Sequence, residues 1–141
     1  MNRTLVDTNI LAYAALEEQG KKHKIAADEI SSLILGKQMA VSIQNLAELS
    51  RVLLEKTKPA PEPGNFKRVL FGYSRCAQVL SYSEFSLVNA ASIKDRQGIH
   101  FFDALLVATM EENNISNILT ENTRDFESIT WINAVNPFKK G

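Results

Sequence analysis

A chain of 141 residues with 45% hydrophobic content can bury one sizeable core, so a single domain over residues 1–141 is the default expectation. Its 16 basic and 16 acidic residues cancel to a formal charge of zero, which excludes a global positive field drawing in a polyanion and leaves only a local patch or bound cations for that task. One cysteine, Cys76, excludes an internal disulfide and reads as a small core residue, while no window approaches the roughly 18 to 20 apolar residues of a membrane span.

The first elements read as strand, turn and helix. Thr4-Leu5-Val6 is an apolar run that stops at Asp7-Thr8-Asn9, and Ile10 to Leu16 reads as helix. The run is too short for a signal-peptide core, so a soluble, cytoplasmic protein is expected, in keeping with the cysteine usage. Thr8 or Asn9 could cap the helix, which leaves Asp7 at the carboxyl end of a strand, the edge where open α/β sheets bind ligands. Asp7 serving as the cap itself is an equally good reading. Lys21 to Leu35 follows as a second helix with Gly36 as its stop signal; its basic start, Lys21-Lys22-His23-Lys24, reads as a solvated face.

Gln38 to Val41 reads as the next strand, and Ser42 as the cap of a helix from Ile43 to Lys56. On a helical wheel Ile43, Leu46, Ala47, Ser50, Leu53 and Leu54 form the apolar stripe, while Glu48 falls with Gln44, Arg51 and Glu55 on the polar side. Glu48 acquires a role only if that side lines a cleft. Lys58 to Gly64, with three prolines and a glycine, reads as a surface loop. Helical spacing resumes from Asn65 to Gln78 through Phe66, Val69, Leu70 and Tyr73, Val79 to Ser81 reads as a short strand, and Ser83 opens a helix through Phe85, Val88, Ala91, Ser92 and Asp95 up to Gly98.

The stretch Ile99 to Met110 organises the rest, because it reads as a helix apolar on almost every side with one carboxylate, Asp103, set into its first turn. A helix apolar all round is buried, and an ionised acid there is costly unless a cation or the helix dipole faces it. No Lys or Arg lies between Arg96 and Arg124. Ser116 to Thr120 reads as a strand ending in the polar cluster Glu121 to Asp125, Phe126 and Ile129 anchor a short helical turn, and Trp131 to Val135 reads as a last strand. Alternating strands and helices imply an α/β fold with a small, mainly parallel sheet flanked by helices on both faces.

Acids therefore recur at strand ends and helix starts: Asp7, Asp103 and the Glu121 to Asp125 cluster, with Glu48 a fourth candidate. Brought into one crevice they would repel one another unless divalent cations lay between them. Hard oxygen ligands suit Mg²⁺ or Mn²⁺, which keep several waters and bind through a few carboxylates plus substrate phosphates, the arrangement used in two-metal phosphodiester hydrolysis.

Leu5-Val-Asp-Thr-Asn9, Ser42-Ile-Gln-Asn-Leu-Ala-Glu-Leu49, Phe102-Asp-Ala-Leu-Leu-Val-Ala108 and Leu119-Thr-Glu-Asn-Thr-Arg-Asp-Phe126 resemble, in order and over nearly the whole chain, the successive motifs of PIN domains, especially the VapC toxins of bacterial toxin–antitoxin modules. The resemblance implies a three-layer PIN-like sandwich, a metal-dependent endoribonuclease acting on RNA, frequent homodimers, and inhibition by a cognate antitoxin entering the acidic groove. It matches Asp7, Glu48 and Asp103 to the family's first three acids. The fourth position falls to Asp125, with Asn122 standing where many members carry aspartate and Glu121 in reserve. Thr8, Asn9, Thr120 and Asn122 would be supporting polar residues.

On that reading Asp7 and Asp103 hold Mg²⁺, or Mn²⁺ in its place, and Glu48 and Asp125 complete the cage or orient the attacking water. No histidine base is needed, which agrees with His23 and His100 lying outside the acid motifs. Lys56, Lys58, Lys67 and Arg68 are candidates for guiding RNA, with a solvated surface the plainer reading. Two rivals remain. A phosphoryl-accepting receiver domain shares the architecture but wants adjacent acids after the first strand, where Asp7 stands alone. A catalytically weak or silent PIN-like module binding RNA or protein would not need all three principal acids.

Overall fold

In the computed structural model, which describes residues 2–139, apolar runs of three or four residues form five strands: β1 (Thr4–Val6), β2 (Met39–Ser42), β3 (Gln78–Leu80), β4 (Asn117–Leu119) and β5 (Asn133–Val135). All pair in parallel, in the order β3-β2-β1-β4-β5. Side chains alternate across a strand, and the alternation divides the core in two. Leu5, Ala40 and Ile118 face one side of the sheet, and Val6, Met39, Val41 and Leu119 face the other.

Helices cover both sides, as parallel strands buried on two faces require. α1 (Thr8–Ala15), α2 (Lys21–Leu35) and α3 (Ile43–Arg51) pack through Ile10, Leu11, Ile30, Leu46 and Leu49 on the Val6 side. α4 (Pro63–Cys76) leans on the same cluster through the half-buried Phe66, Val69, Leu70 and Tyr73, the residues its spacing predicts. α5 (Glu84–Gln97) and α6 (Phe101–Glu112) cover the Leu5 side. After Asp103, every residue of α6 from Ala104 to Met110 is buried. The result is the expected three-layer α/β sandwich, with its sheet entirely parallel.

Several sequence expectations change. Asp7, rather than Thr8 or Asn9, caps α1: its side chain accepts the Thr8 N–H. Gly36 ends α2 in a right-handed conformation, and the left-handed residue is Lys37. Pro63 and Gly64 belong to α4, because proline fits the first helical position, where no N–H is needed. Trp131 and Ile132 precede β5 in a turn. Cys76 is exposed at the end of α4, which has no fully buried residue.

The buried face is rotated on two helices. On α3 it runs through Asn45, Leu46 and Leu49 and on to Leu53, whereas Ile43 and Leu54 are 45% and 48% exposed. The helix also widens into a π-helical turn at Val52–Lys56 instead of continuing as α-helix. On α5 the small residues Ser86 and Ala90 turn inward with Ile93, leaving Phe85 and Val88 73% and 65% exposed. Ser83 caps α5 as expected, and Gly98, at φ 66°, supplies the left-handed residue that ends it.

Candidate functional site

β1 and β4 are neighbours in the sheet, while the chain after β1 crosses first to β2 on the opposite side. That reversal opens a crevice at the carboxyl ends of the strands. Asp7 leaves the end of β1, Thr120 the end of β4, and the two meet: the Thr120 hydroxyl donates to Asp7 Oδ2 at 2.7 Å. The Thr8 N–H donates to Asp7 Oδ1 at 2.8 Å, and Asn45 Nδ2 reaches Oδ1 at 3.3 Å and Thr8 Oγ1 at 3.1 Å. Thr8 Oγ1 in turn donates to Glu48 Oε1 at 3.4 Å.

α3 is set beside this network by Ser42, whose hydroxyl accepts the Asn45 N–H and donates to Asn45 Oδ1 at 2.7 Å. The polar side of α3 therefore faces a cleft, the condition on which Glu48 acquires a role. Asp103 enters from the first turn of α6, and Asp125 from a 3₁₀ turn at Thr123–Phe126 held down by the buried Phe126. Asp7, Glu48, Asp103 and Asp125 line one cavity of about 420 Å³ together with Thr8, Asn9 and Asn122, and no Lys, Arg or His lines it.

The carboxyl groups feel one another. Burial raises Asp7 above the usual carboxylate range and Asp125 adds to it, while Thr120, Thr8 and Asn45 pull it down by hydrogen bonding. Glu48 is raised by burial and by Asp7. Asp103 is pushed up to about 6 by burial, then by Asp125 and Asp7, with His100 opposing. Glu121 lies outside the cavity. Its carboxylate accepts the Tyr13 hydroxyl at 2.7 Å and pairs with Lys22, which sits over the Tyr13 and Phe138 rings. Burial pulls Glu121 upward, but Lys22 and Tyr13 outweigh it and hold the acid below its ordinary value. Lys22 is thus engaged, not simply solvated.

Two roomier cavities, about 510 and 580 Å³, run along α4 and contain none of the four acids. Lys58 and Arg68 border them; Lys56 and Lys67 are exposed, and none of the four bases lines the acidic cavity.

The PIN domain family profile matches residues 4–132. The chain belongs to the PIN domain family. No curated protein matches it significantly. Solved structures similar to this PIN domain include a toxin–antitoxin complex from Klebsiella pneumoniae (20% identity, 97% of this chain and 99% of that one, TM-score 0.72). Another is VapBC2 from Rickettsia felis bound to a promoter DNA fragment (21%, 94% and 97%, 0.67). A third is DNA-bound VapBC from Salmonella typhimurium (19%, 97% and 99%, 0.68). At these identities the likeness is one of fold.

Four oxygen-bearing acids around one cavity with no opposing base form a donor set that fits a hard divalent cation. Among the described residues no three His, Cys, Asp or Glu side chains converge closely enough to cage an ion unaided. A hard cation that keeps several of its own waters asks for fewer protein oxygens than a closed cage does. Asp7 is the most deeply held of the four carboxyls, Asp103 and Asp125 are half-buried residues, and Glu48 belongs to an exposed position of α3. Sequence reasoning missed Asn45 and Gln44, both buried on α3. The signal for Asn45 was its place at 45, 49 and 53, a polar residue on a spacing otherwise held by Leu49 and Leu53.

Proposed function

We propose that this PIN domain is a Mg²⁺-dependent endoribonuclease, with Mn²⁺ able to substitute, and the toxin of a VapBC-type toxin–antitoxin pair. The single observation that carries the reading is the gathering of Asp7, Glu48, Asp103 and Asp125 around a cavity that no basic side chain lines. In this reading Asp7 and Asp103 bind the cation, while Glu48 and Asp125 complete its surroundings and orient the attacking water. A bound divalent ion supplies a lowered pKa for that water and offsets charge developing on the phosphate. Thr120, Thr8 and Asn45 fix the Asp7 carboxyl so that both oxygens keep one orientation, and Asn9 and Asn122 add polar contacts at the mouth.

The structurally similar toxin–antitoxin complexes support an antitoxin as partner, and a homodimer is part of the same proposal. No helix among the described residues is long and apolar enough to cross a membrane. The test is RNA cleavage by purified protein, free of other chains, in Mg²⁺ or Mn²⁺. Cleavage that disappears in Asp7→Ala supports the reading, and cleavage no greater than that control overturns it.

A further inference from the structure

Gln44 is a polar residue at a position that an apolar one would fill more comfortably. It is 8% exposed on α3, and its Oε1 is the sole buried side-chain oxygen or nitrogen among the described residues with no hydrogen-bond partner. An orphaned buried acceptor lowers stability, and an apolar side chain of the same shape would relieve it. A reason for keeping glutamine must therefore lie at the other end of the amide. There Nε2 donates to the Phe102 carbonyl at 2.9 Å, across 58 residues of chain. The acceptor fixes the amide's orientation, because turning it round would set two oxygens against each other.

The two ends of this bond are each next to an acid of the cavity. Phe102 immediately precedes Asp103 in the first turn of α6, and Glu48 lies four residues beyond Gln44, on the same side of α3. The amide is also near enough to Glu48 to favour its charged form. No other hydrogen bond among those described joins α3 to the first turn of α6. We propose that Gln44 is a positioning residue, tying α3 to α6 so that Glu48 and Asp103 stand at the separation needed to share one divalent ion. The inference rests on the metal-dependent reading given above.

Gln44→Met conserves volume while removing both the donor and the orphaned acceptor, and Gln44→Leu is the second variant should the first fold poorly. The measurements are the metal-free melting temperature, Mn²⁺ affinity by calorimetry, and hydrogen exchange in the first turn of α6. The expected result is an unchanged or higher metal-free melting temperature, Mn²⁺ affinity weakened about tenfold or more, and faster exchange in that turn. Unchanged Mn²⁺ affinity overturns the proposal, including the case in which melting falls and Gln44 proves a structural tie alone. Wild-type protein that binds no Mn²⁺ removes the metal-dependent reading and this inference with it. Tight wild-type binding matched by Gln44→Met removes only the inference.

Discussion

The Thr120 hydroxyl donates to Asp7 Oδ2 at 2.7 Å, joining residues 113 apart in sequence and closing the crevice between β1 and β4. Thr120 is fully buried. Thr120→Val keeps the shape and removes this donor, together with the oxygen that accepts the Asn122 N–H at 3.1 Å. Where Asp7 is ionised it is expected to lower stability by about 2 kcal/mol, the scale for a hydrogen bond to a charged group. The bond favours ionised Asp7, so the loss shrinks as pH falls through that group's raised pKa. Urea unfolding across a pH series checks both statements.

Asp103 gives the clearest pH dependence. Its folded pKa, about 6, exceeds the 3.8 of an ordinary aspartate, so its neutral form is the one folding favours. The corresponding stability is fully present below the unfolded pKa and is lost as pH rises through about 6. With metal chelated, Asp103→Asn should be more stable than wild type at pH 8, by on the order of 1 kcal/mol after discounting for the solvent that reaches this half-exposed group. The difference should vanish below pH 4. Thermal melts in chelator across that range measure it, and added Mn²⁺ should favour wild type.

The fourth acid can be assigned by a pair of variants. Asp125→Asn removes a carboxylate from the cavity and is expected to reduce RNA cleavage about tenfold or more. Glu121→Gln removes the charge paired with Lys22 while keeping an oxygen to accept the Tyr13 hydroxyl, and it should leave cleavage close to wild type. Stability should change little, because the Lys22 pair is open to solvent. Cleavage lost in Glu121→Gln and kept in Asp125→Asn would reverse the assignment.

Ser42→Ala tests how the helix carrying Glu48 is seated. Losing the cap should cost about 1 kcal/mol, and the hydroxyl also orients Asn45, which holds Asp7 and Thr8. The variant should therefore weaken Mn²⁺ binding as well as lower the melting temperature. A fall in melting temperature with Mn²⁺ affinity intact would limit Ser42 to capping.

The alternation of apolar runs with helical spacing made β1, α2 and α4 legible in sequence, and it put Asp7, Ser42 and Asp103 at or near element boundaries, where the structure has them. Rotation about a helix axis was less legible. α3 turns Asn45 and Gln44 inward because site groups satisfy the asparagine and half satisfy the glutamine, and a hydrophobicity wheel assigns both to solvent. α5 buries Ser86 and Ala90, small side chains that let it lie close against α6, while the bulkier Phe85 and Val88 remain outside. The sequence motif favours Asp125 over Glu121, but that Glu121 lies outside the cavity paired with Lys22, 99 residues away in the chain, was not legible.

Asp103 sits in the first turn of a helix whose next seven residues are all buried. Each residue advances the helix by about 100°, so a slip of even one position would carry the acid off the cavity wall and swing core side chains into solvent. One wall of the site is therefore a fixed anvil. The walls supplied by α1 and α3 are anchored as well, through Ile10, Leu11 and Leu49, so the shape of the pocket is set by the cores on both faces of the sheet.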